Sequence, residues 1–272
     1  MNDKPEQKNI WSTWSEDYFK TLYKDVTEYP ALVLRHKYIL DLFDLDGKKI
    51  LDIGCGPGEM VKDLLSRGCQ VFGMDIAEGM LKVARNNLEK WSGNGAFGFG
   101  CGDIEHLSFK DKTFDGVVCA GVIEYLKEDS KSLGELNRIL RKDGELILTV
   151  RNAACGARVF DSLTNIPKSS NLGRSLIKPI KRLTSRDGKK EMDPYIPYRK
   201  HTPWKLDKKL ATFGFVKQGF HYFHFYPFFV PFDKVFPKTF ISLGLRMERF
   251  SQKRLGILAS GYIVKARKVR DV

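Results

Sequence analysis

The chain has 272 residues and a net charge of +13, and this length suffices to bury one large core. It contains no run of 18 apolar residues and begins with a polar stretch, so we expect neither a membrane-spanning helix nor a secretory signal. None of the five cysteines stands in a C-x-x-C pair, so we expect a reduced, cytoplasmic protein with no disulfide set and no metal site.

The first predicted strand, Lys49 to Ile53, contains an acid near its end and runs into three alternating glycines. Glycines lack a Cβ, so a ligand can approach the backbone closely at this turn. A helical pattern follows at once, which turns a helix N-terminus toward the ligand. The acid, Asp52, suits a cationic ligand with an amine or sulfonium and would repel a pyrophosphate.

A second strand ends at Asp75, which lies 17 positions after Gly58, near the spacing of a ribose-binding acid. The pattern then alternates between strands and helices: strands at 96–101, 114–120 and 144–150, and helices at 78–90 and 129–141. This alternation predicts an α/β fold with a doubly wound parallel sheet. Its ligand crevice would lie between the first and fourth strands.

These motifs resemble those of class I S-adenosylmethionine-dependent methyltransferases, especially the small-molecule and quinone-type enzymes. Residues 52–58 match the family's D/E-x-G-x-G-x-G motif, Asp75 the ribose acid, Gly102-Asp103-Ile104 the adenine segment, and 114–126 the fourth strand with its loop. The resemblance implies S-adenosyl-L-methionine as cofactor and a seven-stranded, mostly parallel sheet with an antiparallel last strand and helices on both faces. It implies these cofactor residues: Tyr18, Asp52, Gly54, Cys55, Gly56, Gly58, Asp75, Ile76, Met80, Asp103, Ile104 and Ala120.

The second half of the chain is strongly basic. Residues 1–150 carry a net charge of −5 and residues 151–272 one of +18. We predict a single domain, 1–272, with three additions: a helical cap at 1–45, a basic insertion at 152–202 after the fifth strand, and an aromatic and basic insertion at 227–255 between strands six and seven. Those last strands are predicted at 215–226 and 259–266, after a helix that starts at Thr202-Pro203.

Two segments of this basic half suggest an anionic membrane surface as a partner. Residues 172–183 form an amphipathic helical pattern, which suits anionic lipids or, alternatively, packing on the core. The aromatic segment 227–241 suits a roof over a hydrophobic pocket, contact with lipid headgroups, or core packing. We therefore expect a cytoplasmic protein that binds peripherally to the inner face of a membrane.

Methyl transfer to a hydroxyl requires a base that takes up the proton, and histidine is best matched to this role. Related small-molecule enzymes carry Glu-His after the fourth strand, whereas this chain has Glu124-Tyr125. His221 and His224 differ by an odd step, so at most one of them faces the site from a strand. The candidates for catalysis are His201, His221, His224 and Tyr125.

The acceptor is the least determined feature. No Asn/Asp-Pro-Pro-Tyr/Phe sequence follows the fourth strand, and the aromatic residues show no base-stacking arrangement, so a nucleic acid is not expected. We expect methylation of a small hydrophobic or lipid-linked molecule at a hydroxyl oxygen. Two alternatives stay open: an RNA or protein methyltransferase that uses the basic half, and a non-catalytic S-adenosylmethionine-binding module.

Overall fold

The computed structural model describes residues 4–20, 31–43, 47–91, 93, 96–156, 198–199, 201–227, 236–253 and 255–272. Within these ranges seven strands form one sheet: β1 (Lys49–Ile53), β2 (Gln70–Asp75), β3 (Phe97–Cys101), β4 (Phe114–Ala120), β5 (Leu140–Arg151), β6 (Phe215–Phe225) and β7 (Ala259–Lys268). The described α-helices are α1 (Lys4–Phe19), α2 (Ala31–Leu42), α3 (Glu59–Leu65), α4 (Glu78–Leu88), α5 (Ser130–Ile139), α6 (Pro203–Thr212) and α7 (Pro237–Met247).

The strand order is β3-β2-β1-β4-β5-β7-β6. Strands β1 to β5 pair in parallel, and β7 runs antiparallel to both of its neighbours, β5 and β6. The predicted fold class is therefore confirmed. The order reverses between β1 and β4, which places a crevice at their carboxyl ends.

The central strands are buried on both faces, as parallel strands require. One buried cluster contains Leu51, Val117 and Leu146, and a second contains Ile50, Val118 and Ile147. Neighbouring residues of the same strand thus contribute to opposite layers, because side chains alternate across a strand. This burial holds the ends of β1, β4 and β5 in a rigid frame for the site.

The fifth strand is longer than the pattern predicted. It begins at Leu140, and its pairing with β4 jumps from Leu140 to Glu145. The four intervening residues bulge outward, with Asp143 in the left-handed region (φ 61°). Three charged residues and a glycine at this bulge hide the start of the strand from a search for apolar runs.

Much of the predicted insertion at 152–202, including the helix at 172–183, lies outside the described residues, as does 228–235 of the aromatic segment. The predicted division of the chain into a domain with three additions stays a prediction. No helix in the described part of the chain is long and apolar enough to cross a membrane.

Candidate active site

A cavity of about 480 Å³ opens at the carboxyl ends of the central strands. Its floor consists of the loop after β1, the end of β2 and the residues after β4. Helices α1 and α2, which precede β1 in the chain, also line the cavity. The ends of β5 and β6 and the start of β7 complete its wall. This cleft is the crevice predicted from the strand order.

The three glycines after β1 have different roles. All have positive φ, but a Cβ on Gly54 would lie 2.3 Å from Val122 Cγ2, and one on Gly58 would lie 3.0 Å from Leu88 in α4. A Cβ on Gly56 would meet nothing within 4 Å, although Gly56 lines the cleft. Gly56 therefore leaves room for a ligand, Gly54 fits the loop against the residues after β4, and Gly58 permits close packing of α4 and does not line the cavity.

Asp75 organises this loop from the end of β2. Its Oδ2 accepts a hydrogen bond from the Gly56 N–H (2.9 Å), and its Oδ1 accepts one from the Ala77 N–H (2.9 Å). Burial raises the pKa of Asp75, and the backbone donors partly oppose that rise. A carboxylate oxygen can accept more than one hydrogen bond, so Asp75 retains capacity for the hydroxyls of a ribose.

On the cleft wall, Asp52 Oδ2 and Arg35 Nε are buried polar atoms that have no hydrogen-bond partner among the described residues. Burial raises the pKa of Asp52 to about 7, although the Arg35 charge opposes this. A buried acceptor and a buried donor without partners are costly and call for a ligand. An ammonium and a carboxylate on one ligand, as in an α-amino acid, would satisfy both.

Asp103 lies at the opposite end of the cleft, at a turn after β3. Its Oδ1 accepts the Glu105 N–H (3.0 Å), and its Oδ2 accepts a hydrogen bond from Lys4 of α1 (2.5 Å). Burial alone would raise the pKa of Asp103, but the Lys4 ammonium brings it below its ordinary value. Ile104, Ile76 and Met80 line the same end and offer apolar contacts for a planar ring.

Aromatic side chains enclose the remaining part of the cleft. The Trp11 ring lies edge-on to Tyr125 with 5.7 Å between centroids, and the rings of Trp14 and Tyr18 are 5.1 Å apart. Trp14 Nε1 is a buried donor without a hydrogen-bond partner in the described structure. Arg151 pairs with Glu124 (Nε to Oε1, 3.2 Å) at the edge of this wall.

The comparisons with known proteins agree with this geometry. Residues 51–148 match the family model described as a methyltransferase domain. A ubiquinone biosynthesis O-methyltransferase of Coxiella burnetii is 30% identical over 155 residues, which cover 54% of this chain and 65% of that relative. The match to a methyltransferase domain thus covers residues 51–148, and the similarity spans just under two thirds of the length of this curated relative.

One further curated protein and two solved structures show how far the similarity extends. An uncharacterized protein of Methanocaldococcus jannaschii is 31% identical over 150 residues, 54% of this chain and 61% of that protein. A magnesium protoporphyrin IX methyltransferase of Synechocystis with bound SAH superposes with a TM-score of 0.60 at 18% identity, covering 98% of this chain and all (100%) of that one. The cyclase SpnF superposes with a TM-score of 0.63 at 14% identity, covering 98% and 97%. The solved structures therefore support the fold, and this fold carries more than one activity.

The cofactor of the methyltransferase family, S-adenosylmethionine, fits the residues of this cleft. Asp52 and Arg35 would hold the ammonium and carboxylate of its amino-acid end, Gly56 would accommodate its chain, and Asp75 would hold its ribose. The remaining predicted cofactor residues also line the cavity, apart from Gly58: Tyr18, Gly54, Cys55, Ile76, Met80, Asp103, Ile104 and Ala120. Burial raises the pKa of the Cys55 thiol well above its ordinary value, so this thiol stays protonated and contributes an uncharged surface to the cleft.

Two of the four predicted catalytic residues line the cleft and two do not. His224 and Tyr125 line the cavity. His221 does not: it stacks on Tyr38 (4.5 Å between centroids) and its Nδ1 lies 3.0 Å from Ser251 Oγ. His201 lines a separate cavity beside Asp129.

Several cleft residues were not predicted from the sequence, among them Arg35, Lys4 and Ser260. Arg35 and Lys4 belong to helices that precede the first motif, and no motif includes them. Ser260 stands opposite His224 because β6 and β7 pair antiparallel around it. One signal was available: a single arginine in the otherwise apolar run 31–35 of α2.

Proposed function

We propose that this protein transfers the methyl group of S-adenosylmethionine to a hydroxyl oxygen of a small planar acceptor, with His224 as the base. The cofactor supplies an electrophilic methyl group on a sulfonium when it is bound. The chain then has to position the hydroxyl, exclude water and take up one proton. The observation that carries the proposal is that His224 lines the same cleft as Asp52 and Asp75.

The backbone around His224 supports this role. His224 has φ 58° within a strand, a conformation that costs a non-glycine residue about 1 kcal/mol or more. Its N–H donates to Glu248 Oε1 (3.0 Å), and its Nδ1 lies 2.9 Å from Ser260 Oγ. The Ser260 hydroxyl thus orients the ring through Nδ1, and the imidazole is the group that we assign to take up the hydroxyl proton.

We place the acceptor in the aromatic part of the cleft, whose wall favours a flat, partly polar molecule. Trp11, Trp14 and Tyr125 offer aromatic edges and faces, and the Trp14 indole offers a hydrogen-bond donor. Burial raises the pKa of Tyr125 to about 12, so its phenol stays neutral and can donate a hydrogen bond to a ligand while it accepts one from Arg151 Nη2 (3.4 Å). A phenol or hydroquinone fits this wall, and the curated relative named for ubiquinone biosynthesis is consistent with that class.

The test is transfer of a labelled methyl group by the purified 272-residue chain to three substrate pools: phenolic and quinol compounds with and without a lipid tail, total RNA, and protein. We expect label only in the first pool. Label in RNA or protein would favour a macromolecular acceptor for the basic half of the chain. Cofactor binding with no transfer to any pool would favour a non-catalytic binding module.

The role of the base is tested with His224→Gly, because glycine accepts the left-handed φ without strain. The rate should fall by about 100-fold or more, and added imidazole should restore part of it. His221→Gln is the matched control, since it changes a histidine of the same strand outside the cleft. Unchanged activity in His224→Gly, or a loss that imidazole does not reverse while cofactor affinity and melting temperature stay normal, would remove His224 from the chemistry.

A further inference from the structure

A second cavity of about 250 Å³ lies beside the cleft and is lined by cations and one carboxylate. Arg199, Lys205 and Lys209 line it together with Asp129. The Lys209 Nζ is 3.2 Å from Asp129 Oδ2, and the Arg199 guanidinium also forms an ion pair with the Asp129 carboxylate. Asp129 is 3% exposed, so one buried carboxylate is shared by cations that outnumber it. The cavity has several times the ~30 Å³ that a water molecule occupies.

The cations of this cavity are incompletely compensated. Burial lowers the pKa of Lys209, and the Arg199 charge lowers it further, while Glu128 opposes both. Burial likewise lowers the pKa of Arg199, despite the charges of Glu128 and Glu105. A cation whose charged form is disfavoured in this way gains from a nearby anion.

Helix α6 begins at the wall of this cavity without its usual cap. Thr202 occupies the N-cap position, but its side chain makes no capping hydrogen bond, and its buried Oγ1 has no partner among the described residues. Pro203 at the first turn brings no N–H, so the following amides of the turn remain for a ligand. A helix N-terminus with a free hydroxyl beside it favours an anion.

His201 gives an independent indication of a missing ligand. It is 8% exposed, lines the cavity, and approaches Asp129 through Nε2 (3.3 Å). Its Nδ1 is buried without a hydrogen-bond partner in the described part of the chain, as is Arg199 Nε. A protonated oxygen of the ligand can donate to Nδ1, while its other oxygens accept from Arg199 and Thr202.

We infer that this cavity is a binding site for a phosphoryl group, held by Arg199, Lys205, Lys209, Thr202 and the N-terminus of α6. A phosphoryl group combines several accepting oxygens with one that can carry a proton, which matches the mixture of donors and the imidazole nitrogen. The chemistry is shared by free phosphate, a phosphate monoester and a lipid headgroup.

Arg199 connects this second cavity to the aromatic part of the main cleft. The Arg199 N–H donates to the Glu124 carbonyl (2.6 Å), and its Nη2 donates to the Ile123 carbonyl (3.1 Å). Glu124 and Tyr125, in the short turn that these carbonyls begin, line the main cleft. A phosphoryl group bound to Arg199 would therefore lie behind the turn whose residues Glu124 and Tyr125 line the main cleft.

The test titrates the full-length protein with inorganic phosphate and, separately, with vesicles that contain phosphatidic acid in neutral lipid. Binding is read from calorimetry or flotation and from the NMR signals of the Thr202 and Lys205 amides. Thr202→Val keeps the shape and should weaken binding about fivefold, and Lys205→Gln at least threefold. Lys208→Gln is the matched control, because Lys208 lies on the same helix and does not line the cavity.

Each outcome decides the inference. Phosphate binding that moves the α6 amides and weakens in both variants supports a site for free phosphate or a monoester. Binding of phosphatidic acid vesicles alone, with the same variant pattern, supports a headgroup site. Equal affinity in wild type, Thr202→Val, Lys205→Gln and Lys208→Gln, or no binding of either probe, would overturn it. These variants lie outside the methyl-transfer residues, so the outcome is independent of the acceptor.

Discussion

The protonation state of Asp52 should control the affinity of this protein for its cofactor. Asp52 is 1% exposed, and burial raises its pKa from an ordinary 3.8 to about 7. An ammonium of the bound cofactor needs the ionised carboxylate, so binding below pH 7 must release a proton. If the cofactor returns the pKa of Asp52 to its ordinary 3.8, the affinity should be about 20-fold weaker at pH 5.5 than at pH 7.5.

The assay is isothermal calorimetry with S-adenosylmethionine over that pH range, in two buffers that differ in ionisation enthalpy. Wild type should release close to one proton near pH 6 on account of Asp52. Asp52→Asn should bind at least tenfold more weakly at pH 7.5 and lose most of the pH dependence, with Asp75 responsible for any remainder. An equally steep profile in Asp52→Asn would refute the assignment of the ammonium to Asp52.

The same carboxylate should lower the stability of the protein without its cofactor. A raised folded-state pKa means that the folded chain binds the proton more tightly, so stability falls as pH rises from 3.8 toward 7. The complete loss corresponds to about 4 kcal/mol, of which about 1 kcal/mol falls between pH 6 and 8. The stability of Asp52→Asn relative to wild type should therefore increase by about 1 kcal/mol over that interval, as measured by urea unfolding.

Three further predictions concern the cleft and one concerns the basic half. Asp75→Ala should weaken S-adenosylmethionine binding about tenfold or more in calorimetry, because it removes charge-assisted bonds to the ribose and releases the Gly56 N–H; unchanged affinity would exclude Asp75 from the site. Gly56→Val should abolish binding because its side chain would enter the open part of the cleft, whereas normal affinity would contradict that reading of Gly56. Asp103→Asn should weaken binding severalfold and reduce the discrimination against inosine-type analogues; equal binding of both ligands would mean that Asp103 only fastens α1 through Lys4. Vesicle flotation should recover the protein with anionic but not neutral vesicles at low salt, through the segments 172–183 and 227–241, and equal recovery with both would refute membrane binding.

Local sequence determined the frame of the cofactor site. Each of the main signals, the glycine turn, Asp52, Asp75 and Asp103, stands at the end of a short apolar strand, and such ends meet because parallel strands share one carboxyl edge. The turn, the acid and the strand are neighbours in the chain, so a one-dimensional pattern contains their geometry. The predicted bounds of β4, Phe114–Ala120, agree with the structure for the same reason.

Tertiary structure alone decided which of these residues face the cleft and which distant residues join them. Gly58 serves the packing of α4, a role that depends on Ala84 and Leu88. Arg35 stands opposite Asp52, and Ser260 opposite His224, because separate elements pack there. His201 lies behind the cleft wall, since Arg199 bonds to the turn after β4 and His201 pairs with the residues that follow β5. These contacts join residues that are far apart in the sequence. Hydrophobic periodicity, by contrast, indicates only which side of its own helix or strand a residue occupies.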